Sequence, residues 1–223
     1  MIEVDGGFVR LDASMADDLS VVNAARVSFA KRSEEFSEVD KGLINFLMRE
    51  RHGTPFEHNA FRFHIKAPIF VAREWFRHRI GSFNEFSARY SEVPNEFFVP
   101  AEEDVRAQVG KPGSYRFDKV DPALARETIE LIQGVNERSY EVYTHLVDRG
   151  VAKELARVVL PVGMYTQFYW TVNARALMNF LSLRTAETAQ LDIRRFADAV
   201  ECSFAGAMPE TYAAWAANGR AAP

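Results

Sequence analysis

The sequence predicts an α+β fold: a central, mostly antiparallel sheet flanked by long helices, in a single domain with a helical extension. Three observations lead there. A chain of 223 residues fits one domain, and its 48% hydrophobic content is enough material for a substantial core. Strand-like segments are few and helical ones many. The two kinds do not alternate at the regular spacing of βαβ units, which argues against a parallel α/β sheet.

Taken in order, residues 2–11 alternate loosely and read as a strand with a Gly6-Gly7 turn. Asp17 to Ala30 has helical spacing in Leu19, Val22, Ala25 and Phe29, and Lys41 to Arg49 repeats it in Leu43, Ile44, Phe46 and Leu47. Phe61 to Ala67 alternates apolar with basic residues, the mark of a half-buried strand. Pro68 then opens a helix through Trp75, because proline suits a first helical turn. Gly81 to Pro100 has little periodicity, and Gly110-Lys111-Pro112-Gly113 reads as a turn-rich, mobile loop.

Pro122 to Val147 reads as a long helix whose apolar stripe is Leu124, Leu131, Ile132, Val135, Val142 and Leu146. A short helix around Val151 to Leu160 ends at Pro161. Thr166 to Val172, aromatic and β-branched, is a strand. Asn173 to Leu183 and Ala189 to Phe204 read as helices, and the alanine-rich tail as loosely ordered.

Composition narrows the function classes. No run of about 18 uncharged apolar residues is present, so no membrane span is expected. The acidic, alternating start, Met1 to Asp5, is unlike a signal peptide, and a soluble cytoplasmic protein is the default expectation. Cys202 is the only cysteine, which excludes an intramolecular disulfide and a cysteine-rich metal site. It sits in an amphipathic stretch, where a buried or lightly packed thiol is expected rather than a nucleophile. The histidines His52, His58, His64 and His78 have no metal-site spacing, so no metal is expected.

The net charge of −4 speaks against a general nucleic-acid binder. Between residues 61 and 90, however, Arg62, Lys66, Arg73, Arg77, Arg79 and Arg89 face only Glu74 and Glu85. Such a local excess suits a small anionic ligand, a phosphorylated one first of all.

The densest chemistry lies in Arg77-His78-Arg79-Ile80-Gly81-Ser82-Phe83-Asn84-Glu85-Phe86-Ser87-Ala88-Arg89-Tyr90. It follows an apolar run, Ile69 to Ala72, that belongs in a core, so a rigid element carries Arg77, His78 and Arg79 outward. A solvated charged surface is the plain reading of such a run, and a ligand site the sharper one.

The spacing of Arg77-His78-Arg79 to Ser87 resembles the signature of flavin-dependent thymidylate synthases. Further blocks resemble the same family: Ala25 to Phe29, His52 to His58, Trp170 to Arg175, and Met178-Asn179-Phe180-Leu181 through Arg184. They occur in the family's order over residues 20–195. The resemblance implies an enzyme that converts dUMP to dTMP. Methylenetetrahydrofolate would supply the one-carbon unit, and FAD reduced by NADPH the hydride. It also implies a homotetramer with active sites between subunits, and no cysteine nucleophile, which agrees with the unpromising setting of Cys202.

The resemblance further implies roles that chemistry makes reasonable. Arg77, Arg89 and Arg157 offer forked donors to the dUMP phosphate, with Ser87 and the amides of Phe86 and Ala88 beside it. Glu85 is shared between dUMP and FAD. Ser87 has no evident base and is assigned as a binder, not a nucleophile. Arg184 matches the activating arginine, a cation beside uracil N3 and O4 that stabilises charge driven into the ring. Arg77, His78, Arg79, Glu85, Asn173, Arg175 and Asn179 match FAD contacts, while Ser28 and Thr54 reach its phosphates or ribose and His52 lies near the flavin or is structural. Glu74 stands where the family is associated with a dUMP-contacting glutamine. A carboxylate cannot donate as an amide can, so Glu74 either contacts dUMP differently or orients Arg73 or Arg77.

On one uninterrupted helix Arg175 and Arg184 lie nine residues, about 180°, apart. Either the helix ends before Arg184 or the two serve different sides. Competing readings are a nucleic-acid binder using Phe61 to Tyr90, a flavoprotein of another specificity, and a purely structural helical protein.

Overall fold

The computed structural model describes residues 1–111 and 113–223. Its strands and helices divide between two compact units, one formed by residues 1–67, 71–85 and 166–223, the other by 68–70 and 86–165.

The first unit holds a five-stranded sheet. A hairpin pairs β1 (Ile2–Val4) with β2 (Gly7–Met15), turning at Asp5 and Gly6, both with positive φ. The turn therefore lies one residue earlier than Gly6-Gly7. Gly7 belongs to the strand, where a Cβ would stand 2.1 Å from the Lys66 carbonyl oxygen. β2 pairs antiparallel with β3 (Ala60–Pro68), and the order continues through β7 (Tyr165–Val172) to the edge strand β4 (Ser82–Glu85), antiparallel to β7.

The alternation of β3 is realised as the sequence predicts. Phe61, Phe63, Ile65 and Ala67 are wholly buried, while His64, on the other face, bonds Arg10 at 2.9 Å and Gln167 at 3.0 Å. Pro68 closes this strand instead of opening the helix, and α3 (Ile69–Trp75) begins one residue later.

Around the sheet lie α1 (Asp18–Arg26), α2 (Glu38–Arg49), α6 (Ala174–Arg184), α7 (Leu191–Ala207) and α8 (Pro209–Ala217). An aromatic core of Trp75, Phe168, Trp170, Phe180 and Phe196 ties α3, α6 and α7 to β7, with Trp75 stacked on Phe180 at 4.8 Å. The tail is not loose. Trp215 of α8 is wholly buried, and the α8 amides of Glu210 and Thr211 donate to the Asp18 carboxylate at 3.0 and 2.8 Å. Cys202, expected to be buried or lightly packed, is exposed. The buried side of α7 is Ile193, Phe196, Ala197, Val200 and Phe204, and residue 202 falls opposite it.

The second unit holds α4 (Pro122–Asp148), the short α5 (Lys153–Ala156) and a hairpin of β5 (Arg106–Lys111) with β6 (Ser114–Lys119). The stretch Gly110-Lys111-Pro112-Gly113, expected to be a turn-rich loop, falls where β5 ends and β6 begins; Gly110 and Lys111 belong to β5, and Pro112 lies outside the described residues. The predicted stripe of α4 is also corrected. Its buried positions are Ala125, Asn136 and Tyr143, whereas Leu124, Leu131 and Val135 are exposed. Apolar residues occupy two sides of this helix, and only one is covered within the chain. Among the described residues no helix is long and apolar enough to cross a membrane.

Candidate functional site

Sheet pairing brings the distant motifs together. Ser82 opposes Thr171 in the β4–β7 pair, so residues 77–81, just before β4, and 173–175, just after β7, emerge at one end of the sheet. Gly81 permits the first segment to lie close, since a Cβ there would stand 2.9 Å from Trp170 Nε1 and 3.0 Å from the Thr171 oxygen. Asn173 caps α6, its side-chain oxygen accepting from the Ala176 amide at 2.9 Å. The Asn173 NH₂ remains as a donor for a ligand.

A cavity of about 580 Å³ opens at this end, lined by Arg77, His78, Arg79, Asn173, Arg175, Asn179 and Arg184 among others. These seven residues come from three of the segments picked out in the sequence. Arg175 and Arg184, expected either to be cut off by an earlier helix end or to serve opposite sides, line the same space from one continuous helix. Arg184 is the last residue of α6, and its side chain turns toward the end of α3. Glu57, Ile80, Ala176, Leu183 and residues 222–223 complete the wall and were not foreseen. Ala176 and Leu183 lie three residues before and four after Asn179, so helical spacing would have found them. Glu57 gives no such signal; it takes an ion pair from Arg175 at 2.5 Å, while Arg175 Nε donates to the Pro223 oxygen at 2.7 Å.

Arg184 is held by three hydrogen bonds within the chain. Its Nε donates to His78 Nε2 at 3.0 Å, Nη1 to Glu74 Oε2 at 2.8 Å and Nη2 to the Glu74 carbonyl oxygen at 3.1 Å. Glu74 thus pairs with Arg184 and not with Arg73 or Arg77. Burial pushes the Glu74 carboxyl above its usual range; Arg184 opposes this and Asp192 adds to it. Burial first, and the Arg184 charge second, hold His78 down at about 4, so its ring is neutral and Nε2 is free to accept.

The other predicted residues are not among those lining this cavity. Ser28 lies in the exposed 3-10 turn Val27–Phe29, and Thr54 opens another, Thr54–Glu57. His52 is exposed, its ring edge-on to Phe46 at 5.6 Å. Glu85, on β4, accepts from Thr166 Oγ1 at 2.8 Å. In the second unit Ala88 is buried with Phe86 packed against its cluster, Ser87 starts a turn, and Arg89 reaches Glu154 at 3.4 Å. Arg157 is exposed, one turn beyond Glu154.

The lining suits an anion with hydrogen-bonding groups along its edge. Four guanidinium groups and the start of the eleven-residue α6 favour negative charge, and Asn173 and Asn179 supply amide donors. The volume falls within the usual range for cofactor sites.

A cavity lined by four arginines at the sheet end suits a protein that binds a small anionic ligand. The chain belongs to the family described as thymidylate synthase complementing protein, whose model matches residues 10–210. It is 50% identical over 212 residues to the flavin-dependent thymidylate synthase of Thermosipho africanus, covering 95% of this chain and 92% of that one. It is 43% identical to the enzyme so named from Tropheryma whipplei, covering 96% and 94%. Among solved structures, it superposes on a UMP/dUMP methylase, PolB, from Streptomyces cacaoi bound with 5-Br UMP. That match has a TM-score of 0.91 at 43% identity and covers 100% of this chain and 98% of the other.

Proposed function

We propose that the protein is a flavin-dependent thymidylate synthase that methylates dUMP to dTMP, with FAD in the arginine-lined cavity. The observation that carries this reading is the convergence of Arg77, His78, Arg79, Asn173, Arg175, Asn179 and Arg184 on one cavity in a chain of this family. When bound, reduced FAD supplies the hydride, NADPH its electrons and methylenetetrahydrofolate the one-carbon unit.

The chain's own residues bind, orient and polarise. Arg77, Arg79 and Arg175 neutralise an anionic cofactor, and the Asn173 and Asn179 amides meet a ring edge. Ser28, Thr54, His52 and Glu85 are further cofactor contacts on this reading. Arg184 stabilises negative charge at uracil N3 and O4, raising electron density at C5. Neutral His78 keeps Arg184 Nε occupied, so this end of the guanidinium stays fixed. Arg77, Arg89 and Arg157, with Ser87, Phe86 and Ala88, are assigned to dUMP, and Glu85 to both ligands.

A homotetramer accords with the large apolar side chains left exposed, among them Phe29, Ile80 and Leu131. Gel filtration tests that assembly, and an active monomer would contradict it.

The visible spectrum of the purified protein tests the main reading. Oxidised flavin absorption that bleaches with NADPH and shifts on adding dUMP is expected. A colourless protein that does not take up FAD would overturn it. A UMP methylase is the second reading, favoured by the similarity to the UMP/dUMP methylase. Turnover of UMP exceeding that of dUMP would select it.

A further inference from the structure

The Arg184 guanidinium has five N–H groups, and three of them are already committed within the chain. Glu74 takes two of these, one on a side-chain oxygen and one on its main-chain carbonyl, which lies at the end of α3 and also accepts from the Arg77 amide at 3.3 Å. The remaining two N–H groups, one on each Nη, are left for a ligand in the cavity that Arg184 lines. The frame around this clamp is rigid. Trp75, next to Glu74, is wholly buried and stacks on Phe180 of α6, and the His78 ring stands edge-on to the same Phe180 at 4.9 Å. Both partners of Arg184 are therefore held against Phe180, Glu74 through its neighbour Trp75 and His78 through its own ring.

We infer that Glu74 is a positioning residue for the reaction: its carboxylate oxygen, placed by the end of α3, fixes the orientation in which Arg184 presents two N–H groups to the uracil. It acts through Arg184 and makes no contact with dUMP. The inference rests on the reading of Arg184 as the residue that activates uracil. Reach matters more than charge here. An amide oxygen at the same place also accepts from Nη1, while a carboxylate one methylene shorter cannot reach it in the same geometry.

Three variants separate these possibilities. Glu74→Ala and Glu74→Asp are expected to lose kcat by roughly 10- to 100-fold, the range set by one charge-assisted hydrogen bond and by misplacement of a reacting group. KM for dUMP and FAD binding should stay within about threefold, well under the tenfold that 1.4 kcal/mol represents. Glu74→Gln should recover most of the kcat lost in Glu74→Asp, although it lacks the charge. Glu74→Asp active with Glu74→Gln inactive would mean that charge and not position matters, and the inference fails. A rise in KM for dUMP in all three, with kcat kept, would mean direct substrate contact, and the inference fails again. Arg184→Ala run alongside keeps the two readings distinct. If it turns over normally, the role given to Arg184 is wrong; if it is inactive while Glu74→Ala is near normal, only the role given to Glu74 falls.

Discussion

Arg184 Nε donates to Nε2 of His78 across 3.0 Å, a bond between residues 106 positions apart that requires the imidazole to be neutral. His78 meets the requirement because burial, and secondarily Arg184 itself, depresses its pKa from 6.5 to about 4. The sign for stability follows. The unfolded chain protonates His78 below 6.5 and the folded one only near 4, so this contribution is complete above pH 6.5 and is lost progressively toward pH 4. With the ring only half-buried, solvent screening limits the loss to on the order of 1–2 kcal/mol. Urea unfolding of the wild type should show this slope between pH 6.5 and 4, and His78→Gln should flatten it. An equal slope in both would remove the account of His78.

Gly53 packs against the cavity wall from behind. A Cβ at this position would stand 2.5 Å from Arg175 Nε and 2.9 Å from the Pro223 oxygen. Gly53→Ala should displace the Arg175 side chain and weaken FAD binding by roughly 10- to 100-fold, the equivalent of one charge-assisted hydrogen bond. Titration with FAD, monitored by flavin fluorescence, checks it; unchanged affinity would detach Arg175 from the cofactor.

Asp18 is a buried carboxylate that takes three hydrogen bonds from the first turn of α8, including Thr211 Oγ1 at 2.6 Å. Asp18→Ala leaves those donors unpaired, at a cost of about 1–3 kcal/mol. The melting temperature should fall, while activity per folded molecule stays.

Cys202 is exposed on α7 and is absent from the cavity wall. Cys202→Ser should turn over as the wild type does in a dTMP assay. Loss of turnover would contradict a mechanism without a protein thiol.

How far the sequence can be read depends on which kind of signal each part carries. β3 and β7 were legible because burial on one or both faces writes itself into residue type. β4 was not, because Ser82-Phe83-Asn84-Glu85 is a short, polar edge strand defined only by its partner β7. The hairpin of β5 and β6 is mostly exposed and has no burial alternation to detect. On α4 the apolar residues form two sides, and only contacts made in the fold reveal which one the chain covers. The cavity residues were legible because they fall in blocks that resemble a known family's, and only the basic excess of residues 61–90 pointed to an anion by itself. The Glu74–Arg184 pair was not, because 110 residues separate its members and sequence order says nothing of their approach. The geometry also overrode a helical-wheel argument. Arg184 reaches the same cavity as Arg175 because a long side chain at a helix end is not bound to the direction of its Cα.

The central claim is that Arg184 activates the uracil while the remaining cavity residues hold FAD. Replacing Arg184 by alanine and measuring dTMP formation together with the flavin spectrum tests it most directly. The expected result is a protein that stays yellow and still bleaches with NADPH but forms no dTMP. A yellow Arg184→Ala protein with near-normal dTMP formation would contradict the claim.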